Sequence, residues 1–202
     1  MDFEGTFKLE DRTMEEVWLG LSDPVLIRNS LPGCQFLLEV DDESPDFEEL
    51  RDRAAEIDDE DVDLDPEAVA ERAFQEGSRY VALMEISIGP VNPSFETTVE
   101  NLHREFPEMR AEGEGSASNS SFDVEAGMRL SQDGDDVIVE WWAEADVFGR
   151  IAQMGQRMIN PVANRVINQF FNSVEAQLDG LDPETSSSSG GLTTSIKSRL
   201  GM

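Results

Sequence analysis

The last long periodic stretch of the chain, Gly149 to Leu181, constrains its fold more than any other feature. Apolar residues recur there at Ile151, Met154, Met158, Val162, Val166, Phe170, Val174 and Leu178, in steps of three and four that draw one stripe along a helix. Such a stripe has to be buried against something. From Phe3 to Val147 the chain repeatedly alternates with period two, the pattern of strands with one apolar and one charged face. The spacing therefore predicts an α+β fold in which a curved antiparallel sheet grips one long C-terminal helix. At ~1.5 Å per residue that helix reaches roughly 45 Å. Pro161 removes a backbone donor inside it and predicts a kink near Met158 or Ile159.

Taken in order, Phe3, Phe7 and Leu9 share one side of a first strand. Asp11 or Thr13 caps a helix carrying Met14, Val17 and Leu21, and Asp23-Pro24 starts a second short helix through Leu31. A strand follows from Cys34, with Phe36, Leu38 and Val40 alternating. The stretch from Asp41 to Gly77 differs in kind, being rich in Asp and Glu. Phe47, Leu50, Ala54 and Ile57, then Val69, Ala73 and Phe74, fit two short amphipathic helices, and the nearly all-acid run from Asp58 to Asp65 between them reads as a solvated linker. With no glycine between Gly33 and Gly77 it cannot supply an EF-hand loop.

Strand alternation returns at Tyr80, Ala82, Met84, Ile86 and Ile88, then at Phe95, Thr97 and Val99, then at Met109, Ala111 and Gly113. The small polar run from Gly113 to Ser120 reads as a hairpin loop; it lacks the Lys and apolar helix of a phosphate loop. The clearest pattern is the next hairpin. Phe122, Val124, Ala126, Met128 and Leu130 alternate with charged residues, Asp133-Gly134 turns the chain, and Val137, Val139, Trp141, Ala143, Ala145 and Val147 return. The organisation is one domain over residues 1–182 with an acidic helical insertion at about 41–77. A Ser/Gly linker and a short amphipathic tail make up residues 183–202.

Composition excludes some function classes. With a formal charge of −29 and no basic patch in the body, a nucleic-acid partner is excluded. Lys8 and Lys197 are the only lysines, and the acid is spread over strand faces and loops, a pattern suited to a high-salt cytosol. The lone Cys34, the absence of a membrane-length apolar run and the absence of a signal pattern place the chain in the cytoplasm.

Catalytic groups are scarce. His103 is the single histidine and sits at a strand end beside Arg104 and Glu105, where a surface role outweighs that of a base. One His and one Cys make neither a soft metal cluster nor a nucleophile–base pair. Glu85 lies within an apolar strand, yet its parity sends it to the outer face. Large apolar groups do converge between sheet and helix. The candidate ligand-lining residues are Met84, Phe95, Val99, Phe122, Met128, Trp141, Met154, Met158, Val162 and Phe170. A filled core and a ligand cavity are both open readings. Ala111, Gly113, Ala126, Ala143 and Ala145 make the lining shallow where the helix must be held off, which favours the cavity. In the tail, Leu192, Ile196 and Leu200 with Lys197 and Arg199 form a short stripe suited to a membrane surface or a partner groove; a tail without a task is the alternative.

Several separate motifs carry a family resemblance: Leu31-Pro32-Gly33-Cys34, Ile88-Gly89-Pro90-Val91, Gly113-Glu114-Gly115, Gly155-Gln156-Arg157-Met158-Ile159 and Asn168-Gln169-Phe170-Phe171. Over residues 1–40 and 78–181 the chain resembles the CoxG family of carbon monoxide dehydrogenase subunits, which belongs to the START-like helix-grip superfamily. The resemblance implies a seven-stranded curved antiparallel sheet around the last helix and an apolar cavity. It implies a non-catalytic accessory protein that binds a lipophilic, quinone-like carrier and recruits a molybdenum-containing CO dehydrogenase or related hydroxylase to the inner face of the membrane, with no tightly bound cofactor. The acidic insertion and the short tail depart from the family pattern. A START-like enzyme, a cyclase or hydrolase acting on a hydrophobic substrate in the same cavity, is the alternative.

Overall fold

The alternating segments form seven strands: β1 (Asp2–Leu9), β2 (Cys34–Val40), β3 (Arg79–Glu85), β4 (Ser94–Glu105), β5 (Glu108–Ala117), β6 (Ser120–Asp133) and β7 (Asp136–Gly149). They are seen in a computed structural model that describes residues 1–42, 45–56 and 66–181. The strands make one antiparallel sheet in the order β1-β7-β6-β5-β4-β3-β2, so β1 and β2 are its two edges. The run from Gly113 to Ser120 is not a loop. Gly113 and Gly115 lie inside β5, paired with Val99 and Thr97 on one side and Val124 and Phe122 on the other, and the chain turns only at Ser118-Asn119. Small residues there let neighbouring side chains lie flat on the strand, a use of glycine that looks like a turn signal in sequence.

Between β1 and β2 run α1 (Met14–Gly20) and α2 (Pro24–Ser30). Thr13 closes a reciprocal capping box with Glu16, and Asp23 accepts from the Val25 amide at the head of α2, satisfying amides a helix start leaves free. Asp23 is fully buried and is neutralised by Arg72 at 2.7 Å.

The insertion carries two short helices where its apolar spacing puts them. Its first part, α3 (Phe47–Ala55), is capped by Asp46 and lays Phe47, Leu50 and Ala54 on the convex face of the sheet. Beneath them are Phe36, Leu38, Val81 and Leu83, which form a satellite core. The register explains why: Leu38 pairs with Val81 facing outward, whereas Leu37 pairs with Ala82 facing the interior. The apolar parity of β2 therefore marks a second buried face, not the gripping face. In α4 (Pro66–Glu71) Val69 is fully buried, and beyond that helix Phe74 joins the main core, meeting Tyr80 edge-on at 4.7 Å. Ile57 and the acid-rich residues 58–65 lie outside the described residues.

The long C-terminal stripe does not form one continuous helix. Ala152–Met154 is a 3-10 turn, Gly155 breaks it at φ 74°, in the left-handed region that favours glycine, and α5 (Gln156–Leu181) follows. Pro161 is accommodated in the second turn of α5. The C-terminal half of α5 packs on α2 and α1. Gln177 donates to the Leu26 carbonyl at 3.1 Å and to the Ser30 hydroxyl, and Arg12 pairs with Asp179.

Candidate ligand cleft

Two separate cores hold α5 to the sheet. At its C-terminal end Phe171, Val174 and Leu178 are sealed with Leu9, Val17, Leu130, Val137 and Val139, and the Phe7 ring stacks on Phe171 at 5.0 Å. At its N-terminal end Ile159 and Val162 pack with Met154 against Ile88, Phe95 and Ile151. Between these anchors the inner face of the sheet carries two cross-strand rows. One is Val99, Gly113, Val124 and Ala145; the next is Ala111, Ala126, Ala143 and Phe3. All of them are half-buried, and none belongs to either core. Val166, facing them from α5, is half-buried and outside both cores as well. Half-burial between the two cores makes this middle stretch, with its short Ala and Gly side chains on the sheet side, the candidate cleft under the helix. From Val162 to Phe170 the helix runs about 12 Å at ~1.5 Å per residue.

The ten candidate residues do not form one surface. Met84, Phe95, Phe122, Met154 and Val162 belong to the N-terminal wall, with Phe95 and Phe122 edge-on at 5.3 Å. Met128, Trp141 and Phe170 pack against the C-terminal wall. Val99 lies in the gap itself. Met158 is 43% exposed at one end, its Cε so near Gly89 that a Cβ there would meet it at 2.9 Å. Long side chains reach their neighbours and become walls; the space is left where side chains are short. Phe3, Val124 and Val166 also face the gap, and their strand or stripe parity was the signal that pointed there. The tail residues Leu192, Ile196, Lys197, Arg199 and Leu200 lie outside the described residues.

One titratable group, Tyr80, pairs with Val99 at the end of the first row; the others described sit elsewhere. His103 lies at a bulge of β4, with Nδ1 3.5 Å from the Glu76 carboxylate. Cys34 donates to the Phe36 carbonyl at 3.3 Å, and burial pushes its thiol up to about 11 against the pull of Arg28. Burial, and then the Glu39 charge, raise Tyr80. Glu85 and Trp142 point outward. A concavity of about 660 Å³ lies on the opposite, convex face, but it is lined chiefly by carboxylates, Glu100, Glu112, Glu125 and Glu144 among them. A lipophilic guest finds no apolar wall there, so the gap under α5 is the better candidate. Among the described residues no group of His, Cys, Asp and Glu is placed to hold a metal, and no helix is long and apolar enough to cross a membrane.

A seven-stranded antiparallel sheet curved around a C-terminal helix, with an apolar gap between them, defines the START-like helix-grip class. Solved structures agree. A conserved protein from Geobacillus kaustophilus superposes with a TM-score of 0.67 at 20% identity, covering 89% of this chain and 96% of its own. A START superfamily protein from Mycobacterium smegmatis gives 0.56 at 12% identity, covering 90% and 99%. An aromatase/cyclase from Streptomyces gives 0.53 at 9% identity, covering 89% and 93%. No curated protein matches the sequence significantly. The family model for CoxG, a carbon monoxide dehydrogenase subunit, matches residues 72–179, and the chain belongs to that CoxG family.

Proposed function

We propose that this chain is a non-catalytic accessory protein that carries a lipophilic, quinone-like guest between α5 and the sheet. Its partner in this reading is a molybdenum-containing CO dehydrogenase or related hydroxylase, met at the inner face of the membrane. The observation that carries the reading is a patch of Ala, Gly and Val on the inner face that stays half-buried between two cores and joins neither. Close packing is the rule in protein interiors, so an inner patch left half-buried between well-filled ends calls for an occupant. The family supports the accessory role and the CO dehydrogenase partner.

Organic extraction of the purified protein followed by mass spectrometry tests it. The expected result is a co-purifying lipophile in the unaltered chain and its loss in Ala143→Phe, which puts a ring on the floor of the gap. Failure to recover a lipophile, together with failure to take one up from mixed-lipid vesicles, overturns the reading. Turnover of the recovered guest by the protein would instead identify an enzyme of the cyclase or hydrolase kind.

A further inference from the structure

Beside the candidate cleft, in its N-terminal wall, one buried polar side chain has its hydrogen-bonding capacity unused. Six polar or charged residues are buried among the described residues, and five have partners. Arg12 pairs with Asp179, Ser22 accepts from Arg104, Asp23 pairs with Arg72, Ser30 accepts from Gln177, and Asn101 donates to Ser78. Thr97 is the exception: 6% exposed, its Oγ1 makes no hydrogen bond. An unmatched buried hydroxyl carries a desolvation cost that Val at the same position would avoid. Its position is specific. Thr97 sits in the row Ala82, Thr97, Gly115, Phe122, Val147, next to the gap row that begins with Val99. Gly115 is bare on this inner side. A Cβ there would overlap the Phe122 ring and lie 3.1 Å from Thr97 Oγ1. The ring therefore lies flat over Gly115 beside the hydroxyl, at the boundary between the N-terminal wall and the gap. Phe122 is only half-buried.

We propose that Thr97 is the polar anchor of the cleft, its hydroxyl donating to a carbonyl oxygen of an otherwise apolar guest once the Phe122 ring has moved aside. This rests on the reading of the gap as a ligand site. It names the group of the quinone-like guest that is recognised, a carbonyl oxygen, and the residue that recognises it. Specificity of this kind is strong because a guest lacking the acceptor leaves the hydroxyl unpaired.

Two probes of one skeleton decide it: 2,3-dimethyl-1,4-naphthoquinone, which has no free position for thiol addition, and 2,3-dimethylnaphthalene, which lacks the carbonyls. Calorimetric titration of the full chain and of Thr97→Val gives four affinities, and the thermal midpoint of each protein checks folding. Expected are a quinone affinity that falls about tenfold in Thr97→Val, an unchanged or improved hydrocarbon affinity, and a ligand-free midpoint equal to or above that of the unaltered chain. Quinone binding that Thr97→Val leaves unchanged overturns the anchor while leaving the cleft standing. Binding of neither probe to the unaltered chain overturns the cleft itself. Should Thr97→Val unfold, Thr97→Ser, which keeps the donor and drops the methyl, is expected to retain the preference for quinone over hydrocarbon, and equal affinities in it refute the anchor.

Discussion

The convex face of the sheet makes a quantitative prediction about salt. The register sets Asp2, Glu144, Glu125, Glu112 and Glu100 side by side across five strands, and Asp146, Asp123 and Glu114 across three. Among the described residues the cations beside these acids are Arg79, bonded to Glu100 at 2.7 Å, and the Met1 ammonium, which donates to the Ala145 carbonyl. Like charges directly opposite on a sheet destabilise it. At a separation of ~6 Å two carboxylates in water repel by about 0.7 kcal/mol. With a Debye length of ~10 Å at 0.1 M salt and ~3 Å at 1 M, that falls to about 0.4 and then about 0.1 kcal/mol. Over the six adjacent pairs the gain from 0.1 to 1 M is about 2 kcal/mol. In a chain this size that is a rise in melting midpoint of about 4–8 °C. The assay is a thermal melt in NaCl at fixed pH, repeated with Glu112→Gln/Glu125→Gln, which removes charge from the centre of the longer row. The double variant is expected to start with a higher midpoint at low salt and to gain less from added salt. A midpoint indifferent to NaCl, or an equal salt response in both proteins, would refute the reasoning.

Leu50, 6% exposed on the inner side of α3, is expected to cost about 2–4 kcal/mol when replaced by Ala, read from a urea melt; a loss below ~0.5 kcal/mol would refute the docking of α3 on the sheet. Cys34 is expected to react with iodoacetamide at pH 8 roughly two orders of magnitude more slowly than a free thiol, with the rate climbing toward pH 11. The folded state holds that proton more tightly, so the associated stability is present below ~pH 8.5 and declines as pH rises toward 11. Deleting residues 183–202 is expected to reduce co-sedimentation with anionic vesicles while leaving guest binding intact; unchanged sedimentation removes the tail from the membrane reading.

How far the fold was legible depended on which residues carried two meanings. Strand β7 announced itself because the alternate residues Val137, Val139, Trp141, Ala143, Ala145 and Val147 face one interior. Strand β2 has the same alternation, yet Phe36 and Leu38 face outward, because the helix that covers them was disguised by its acid. Charge on α3 marks only its solvent side, and three apolar contacts on the other side suffice to dock it. The break at Gly155 was hidden for a similar reason. Ile151 and Met154 continue the stripe of α5 in spacing although they belong to a separate turn. At the cleft, the Ala and Gly positions were the more informative signal, and the Met and aromatic positions described its walls. Thr97 could be placed on the inner face from Phe95 and Val99, but its surroundings depend on Gly115, its partner on the next strand, and on Phe122, two strands away.

The open hem of the sheet has a mechanical corollary. A closed barrel has its bore fixed by strand number and stagger, whereas here β1 and β2 end the sheet without meeting and the chain crosses between them as α1 and α2. The girth of the interior is then set by how thick that wedge is. Trimming Trp18 or Leu26, which are buried in it, offers a way to tighten or slacken the grip on α5 without altering any residue that lines the gap.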